Sequence, residues 1–132
     1  MTVTADPASV YAYVRAIGDE NPAYPKAPDD ADGKIAPPAF AAVYALGAGS
    51  LSLLSSGIQP NRLIHGSQEF AWVRPVRVGE RLSARGGVAR VYNKRSLQFV
   101  DAESVVTDES GAEVCRSKAT ILVLPDPAEA RV

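Results

Sequence analysis

The feature that most constrains this chain is one long apolar stretch, Ile35 to Leu54, bounded by prolines and glycine. Pro37-Pro38 suit the first turn of a helix, where no amide donor is required, and Gly57 and Pro60 stop it. Phe40, Val43, Tyr44, Leu46, Leu51 and Leu54 make that helix apolar on most sides. A helix apolar all round must be wrapped by other structure. It does not read as a membrane span, because the prolines break it and Gly47, Gly49, Ser50 and Ser52 suit a buried helix better than lipid. No membrane partner is expected.

The material to wrap it follows directly. Leu63 to Val73, Arg81 to Tyr92, Ser96 to Thr107 and Glu113 to Leu124 are strand-like, separated by Pro75 to Gly79, Asn93-Lys94 and Asp108 to Gly111. These connections read as tight hairpins, and consecutive hairpins give an antiparallel sheet. Only the preceding helix is apolar enough to cover one face of it. The expected fold is therefore α+β, a long central helix wrapped by a curved antiparallel β-sheet. Ahead of that helix, Asp6-Pro7 is a helix start, Val10, Val14 and Ile17 follow at helical spacing with Tyr13 alongside, and Gly18 ends the turn. Asp19 to Lys34 is polar and rich in proline, and reads as an extended loop. With no repeat, low-complexity segment or linker, residues 1–132 are expected to form a single domain, with Pro125 to Val132 a frayed tail.

Composition removes several classes of function. The 132 residues are 46% hydrophobic and 22% charged with a net charge of -1, an ordinary balance for a soluble domain. One cysteine, Cys115, excludes an internal disulfide and a multi-cysteine zinc site, and it suits a reducing compartment. One histidine, His65, excludes two-histidine metal sites within a chain, so neither metal nor cofactor is expected. Met1 to Asp6 shows no basic run followed by an apolar core, and a cytoplasmic location is expected. Charge is uneven. Residues 62–95 hold Arg62, Arg74, Arg77, Arg81, Arg85, Arg90, Lys94 and Arg95 against Glu69 and Glu80. These bases alternate with apolar residues along strands and divide between two faces, which argues against nucleic acid and leaves a solvated face or an anchor for phosphates.

Gly18-Asp19-Glu20-Asn21-Pro22-Ala23-Tyr24 follows a helix and concentrates polar groups in a proline-braced loop. It resembles the motif of the MaoC-like family of (R)-specific enoyl-thioester hydratases and 3-hydroxyacyl-thioester dehydratases, approximately Gly-Asp-x-Asn-Pro-x-His. Gly18, Asp19, Asn21 and Pro22 match; Tyr24 stands where the family has His. Ile35 to Phe40, followed by Leu63 to Leu82, is similar to the FAS1-like, or MaoC amino-terminal, dehydratase branch. The resemblance spans residues 7 to about 124 and implies a hot dog fold that pairs into a double hot dog. It further implies that such a domain often serves as the substrate-binding, non-catalytic half, with a catalytic MaoC-like partner.

The substitutions carry chemical weight of their own. Hydrating an enoyl thioester needs a base for water, a group for the proton at the alpha carbon, and donors for the thioester oxygen. An imidazole exchanges a proton near neutral pH, whereas an ordinary phenol, with a pKa of about 10, is a poor base. Where catalytic relatives present a His-Gly amide, this chain has Pro37-Pro38, and proline has no amide hydrogen. The catalytic candidates are Asp19 and Tyr24 from the motif and His65 as the one imidazole in the chain; the substrate-binding candidates are Asn21, Pro38, Phe40 and Tyr44, with Gly47 as a small position on the long helix that leaves room for an acyl group. Arg74, Arg77 and Arg81 are candidates for the phosphates of coenzyme A or an acyl carrier protein. Each has a structural alternative: Asp19 as a brace for Asn21, His65 as a strand residue at a subunit seam, Tyr24 as packing. Cys115 reads as buried filler, and Phe70 and Trp72 as core or interface residues.

The leading expectation is a hydratase or dehydratase subunit that shapes the acyl site while a partner supplies Asp and His. The alternatives are a self-sufficient homodimeric hydro-lyase using Asp19 with Tyr24 or His65, and a non-enzymatic protein that binds acyl thioesters. Either a homodimer or a heterodimer would satisfy the exposed strand edges of a single sheet.

Overall fold

A computed structural model describes residues 1–127, with side chains outside residues 47–52. The first helix, α1, runs Pro7–Ile17, and the Asp6 carboxylate accepts the Ser9 N–H to cap it. Gly18 closes it at φ 68°, a left-handed conformation that glycine takes without steric cost. Val10 and Val14 are buried. Ile17, the third residue of the same spacing, is exposed because the helix ends beyond the edge of the core. Residues 19–37 form no helix or strand, in keeping with their prolines. Pro38–Phe40 then makes one tight 3-10 turn that feeds α2, Ala41–Ser55.

The strands are β1 (Thr2–Thr4), β2 (Leu63–Trp72), β3 (Arg81–Lys94), β4 (Leu97–Thr107) and β5 (Glu113–Val123). They form one antiparallel sheet in the order β1-β3-β4-β5-β2, and α2 lies against β3, β4 and β5. This is the hot dog arrangement expected from the sequence. β1 was not expected, since three residues are too few to show an alternation.

Two connections differ from expectation. The segment from Val73 to Glu80 is no hairpin, because β2 pairs with β5 at the far edge while β3 lies next to β1. Part of its backbone pairs with the loop before α2. Ala36 N–H donates to Val76 O at 2.8 Å and Val78 N–H to Lys34 O at 3.0 Å, with both valines buried. In the β3–β4 hairpin, Lys94 pairs with Leu97, so the turn residues are Arg95 and Ser96, at φ 52° and 64°, rather than Asn93-Lys94. The β4–β5 turn is as expected: Asp108 Oδ1 accepts the Ser110 and Ala112 N–H groups, and Gly111 takes φ 85°.

Alternation along β5 buries Cys115, Ser117, Ala119, Ile121 and Val123 on one face. That face meets α2, where Ser104 Oγ donates to Ala45 O at 2.7 Å. Phe40, Tyr44, Leu82, Val106, Val114 and Cys115 form the centre of the core. Cys115 is fully buried and free, and burial pushes its thiol pKa up, as suits filler rather than a nucleophile. Of the expected frayed tail, residues 128–132 lie outside the described residues.

Candidate substrate cleft

The loop after α1 is rolled up by its own side chains. Asp19 Oδ1 accepts the Asn21 N–H at 2.9 Å, and Asn21 Oδ1 accepts the Ala23 N–H at 2.9 Å. Tyr24 N–H donates to Asn21 O at 3.1 Å, and Ile35 N–H to Ala23 O at 3.0 Å. Short polar side chains beside proline favour such turns. Their consequence is to turn Tyr24 inward, where it is buried, while Asp19 and Asn21 stay exposed.

Tyr24 lines a cleft of about 360 Å³ with Pro37, Pro38, Tyr44, Trp72 and Arg74. The remaining wall is Ile35, Ala36, Val73, Pro75 and Val76. Four parts of the chain therefore meet here: the loop, the start of α2, the end of β2 and the crossover. Tyr44 is 2% exposed, and burial first, with the neighbouring Cys115, pushes its phenol pKa well above the ordinary value. Trp72 Nε1 donates to Pro38 O at 3.0 Å. The volume lies at the small end of the range usual for ligand sites, and the lining is mostly apolar. Among the described residues, no carboxylate and no imidazole stands on it.

Arg74 is the one charged group on this wall, and it is committed elsewhere. Its guanidinium donates to both Glu80 carboxylate oxygens and, at 3.0 Å, to Asp108 Oδ2. Glu80 also accepts the Arg77 N–H at 3.0 Å. Hydrogen bonding to Glu80 raises the Arg74 pKa, and the same contact holds Glu80 below the usual carboxylate range. The Ser110 hydroxyl and then Arg74 hold Asp108 down to about 2. The ion pairs pin the crossover to the β4–β5 turn.

The sequence candidates thus separate. Tyr24, Pro38 and Tyr44 meet in the cleft, while Phe40 packs below it in the core, with ring centroids 5.5 Å from Tyr13 and 6.1 Å from Tyr44. Gly47 lies within α2 but outside the residues whose side chains are described. His65 is exposed on β2, seven residues from Trp72, or roughly 23 Å along an extended strand. Within one chain it does not join Asp19 and Tyr24. Arg77 and Arg81 are exposed, but Arg74, with its two carboxylates, is not available like them. Trp72 is the cleft residue that sequence reasoning assigned only to core or interface. Its pairing with Cys115, which sits beside Tyr44, is what brings it here.

Among the described residues no three His, Cys, Asp or Glu side chains gather as a metal site, and no helix is long and apolar enough to cross a membrane.

A helix held in a five-stranded antiparallel sheet, with a proline-braced loop closing a cleft at its start, defines a hot dog domain. The pattern of the FAS1-like dehydratase domain region matches residues 2–117, and the chain belongs to that family. A UPF0336 protein of Streptomyces avermitilis is 34% identical over 109 residues, covering 77% of this chain and 72% of its own. Among solved structures, the HadBC (3R-hydroxyacyl-ACP dehydratase) complex of Mycobacterium tuberculosis matches with a TM-score of 0.75 at 20% identity, over 92% of this chain and 90% of that one. A MaoC-like dehydratase matches with a TM-score of 0.78 at 18% identity, over 93% of this chain and 39% of that longer one. At these identities the structures speak for the fold.

Proposed function

We propose that this chain is the substrate-binding, non-catalytic subunit of an (R)-specific enoyl-thioester hydratase or 3-hydroxyacyl-thioester dehydratase. The observation that carries this reading is the cleft wall, which is mostly aromatic and apolar, holds Arg74 tied into ion pairs and, among the described residues, has no carboxylate or imidazole. Hydration puts hydroxide on C3 and a proton on C2 of the enoyl thioester, and it needs groups that move those protons. Asp19 is exposed, outside the cleft lining, with Oδ1 already accepting the Asn21 amide. The thioester oxygen gains charge as C2 becomes enolate-like, and Pro37 and Pro38 offer it no amide donor. This chain is left to hold and orient the acyl group, while the partner subunit brings Asp, His and the oxyanion donors.

The partner's place is the free edge of β2. β2 is an edge strand, paired among the described strands with β5, and Ile64 on it and Val73 just beyond its end are exposed. An open edge with large apolar side chains is a natural seam for a second sheet. The likeness to one chain of the HadBC complex supports a partnered state. Arg77 and Arg81 are the exposed cations for the phosphates of coenzyme A or a carrier protein.

The test is loss of the enoyl absorbance of a medium-chain trans-2-enoyl-CoA. The purified chain alone is expected to give no turnover, and addition of a MaoC-like partner carrying the Asp and His should restore it. Clear turnover by the chain alone overturns the reading in favour of a homodimeric hydro-lyase. In that case Asp19→Asn and His65→Ala should each lower the rate by about a hundredfold or more. Binding without turnover in the presence of every such partner would make it a binding protein instead.

A further inference from the structure

Trp72 is the only tryptophan in the chain, and it stands in the cleft wall with 45% of its surface exposed. A residue this large is more often covered, so its exposure in a concave site calls for a use. It is also held in place before any ligand arrives. Its Nε1 donates to Pro38 O, and Phe70 packs against the ring at a centroid distance of 5.5 Å and an angle of 40°. The indole's one donor is therefore spent within the chain. What it can still offer a ligand is a π-face, beside the aromatic surface of Tyr24 and Tyr44.

A fixed aromatic face rewards a flat partner in offset stacking and gains little from a tetrahedral one that stands away from the ring. We propose that Trp72 is a specificity residue that selects acyl groups flat next to the thioester, stacking on the conjugated C2=C3–C1=O plane of a 2-enoyl group or on an aryl ring in the same position. This rests on the reading that the cleft receives the acyl group. It adds that the subunit discriminates by shape at the reacting end of the chain, where the partner's groups would act.

Calorimetric titration of the purified chain with trans-2-octenoyl-CoA and with octanoyl-CoA tests it, since the two differ only in that plane. The unsaturated thioester should bind threefold to tenfold more tightly, the worth of one aromatic stacking contact. Trp72→Phe should keep most of that ratio and Trp72→Leu should bring it close to one, with circular dichroism confirming that each variant folds. A wild-type ratio of one overturns the proposal even if a variant fails to fold. Equal weakening of both ligands in Trp72→Leu, with the ratio kept, also overturns it by reducing Trp72 to a support for the wall. Binding of neither ligand overturns the reading of the cleft as well, so the two failures are distinguishable.

Discussion

α2 has two very different flanks. Towards β3, β4 and β5 it is closed, with Phe40, Tyr44, Leu82, Val106 and Cys115 almost without solvent contact. Towards β2 the molecule is open, with His65 and Trp72 exposed and Val73 64% exposed just beyond the strand. The difference shows how a small domain divides its apolar residues: one flank stabilises the fold, and the other leaves apolar surface open, which the proposed function gives to a ligand and a second sheet.

The contrast can be broken most forcefully on the closed flank. Phe40→Ala removes a ring that is 1% exposed and should cost roughly 3–5 kcal/mol in urea unfolding; a loss below about 1 kcal/mol would mean that the flank is loosely packed. Two glycines give the next comparison. A Cβ at Gly86, where β3 meets β4, would lie 2.1 Å from Glu103 O and 2.8 Å from Ser104 Cα, contacts with backbone that cannot swing aside. Gly86→Ala is expected to cost roughly 1–3 kcal/mol or more. At Gly66 on β2 the nearest atom is Leu122 Cδ1 at 2.6 Å, the movable end of a side chain, so Gly66→Ala should cost less. Equal losses at both sites would remove the distinction between the flanks.

Acid titration probes the pin between them. Glu80 and Asp108 both sit below the ordinary carboxylate range, so their contribution to stability is complete above about pH 5 and is lost as pH falls through 4 towards 2. Arg74→Met should lower the thermal midpoint near neutral pH and flatten this acid slope. The flattening should be partial, because Ser110 and the Ala112 amide still hold Asp108. An unchanged slope would show that Arg74 contributes nothing to it. The smallest effect is expected on the open flank: Trp72→Phe loses the bond to Pro38 and should change stability by about 1 kcal/mol or less, which thermal unfolding would register.

Much of this was legible in the sequence because the signals are local. Asp6-Pro7 and Gly18 bound α1, and the Ile35–Leu54 stretch identifies the helix that must be enclosed. Four alternating segments give four of the five strands within a few residues. The Gly-Asp-x-Asn-Pro frame marked the loop that carries Tyr24, and the alternative reading of Asp19 as a brace for Asn21 is the geometry found. The misreading of the crossover has a clear cause. Pro75 to Gly79 has the composition of a turn, yet its valines pair with Lys34 and Ala36, distant in sequence, and turn chemistry carries no information about which strand comes next in space.

The cleft itself could not be read from the chain alone. Asp19, Tyr24, His65 and the three arginines were grouped by residue type and family motif, which do not measure distance. Residue order determined the helix, the number of long strands, the loop and the absence of an imidazole at position 24, because capping, periodicity and residue identity act over a few neighbours. Tertiary structure decided that β2 crosses to the far edge, that Trp72 reaches Pro38 while His65 stays apart, and that Arg74 is neutralised by Glu80 and Asp108. Those outcomes depend on which surfaces pack together once the helix is enclosed, and that is settled by contacts between residues tens of positions apart.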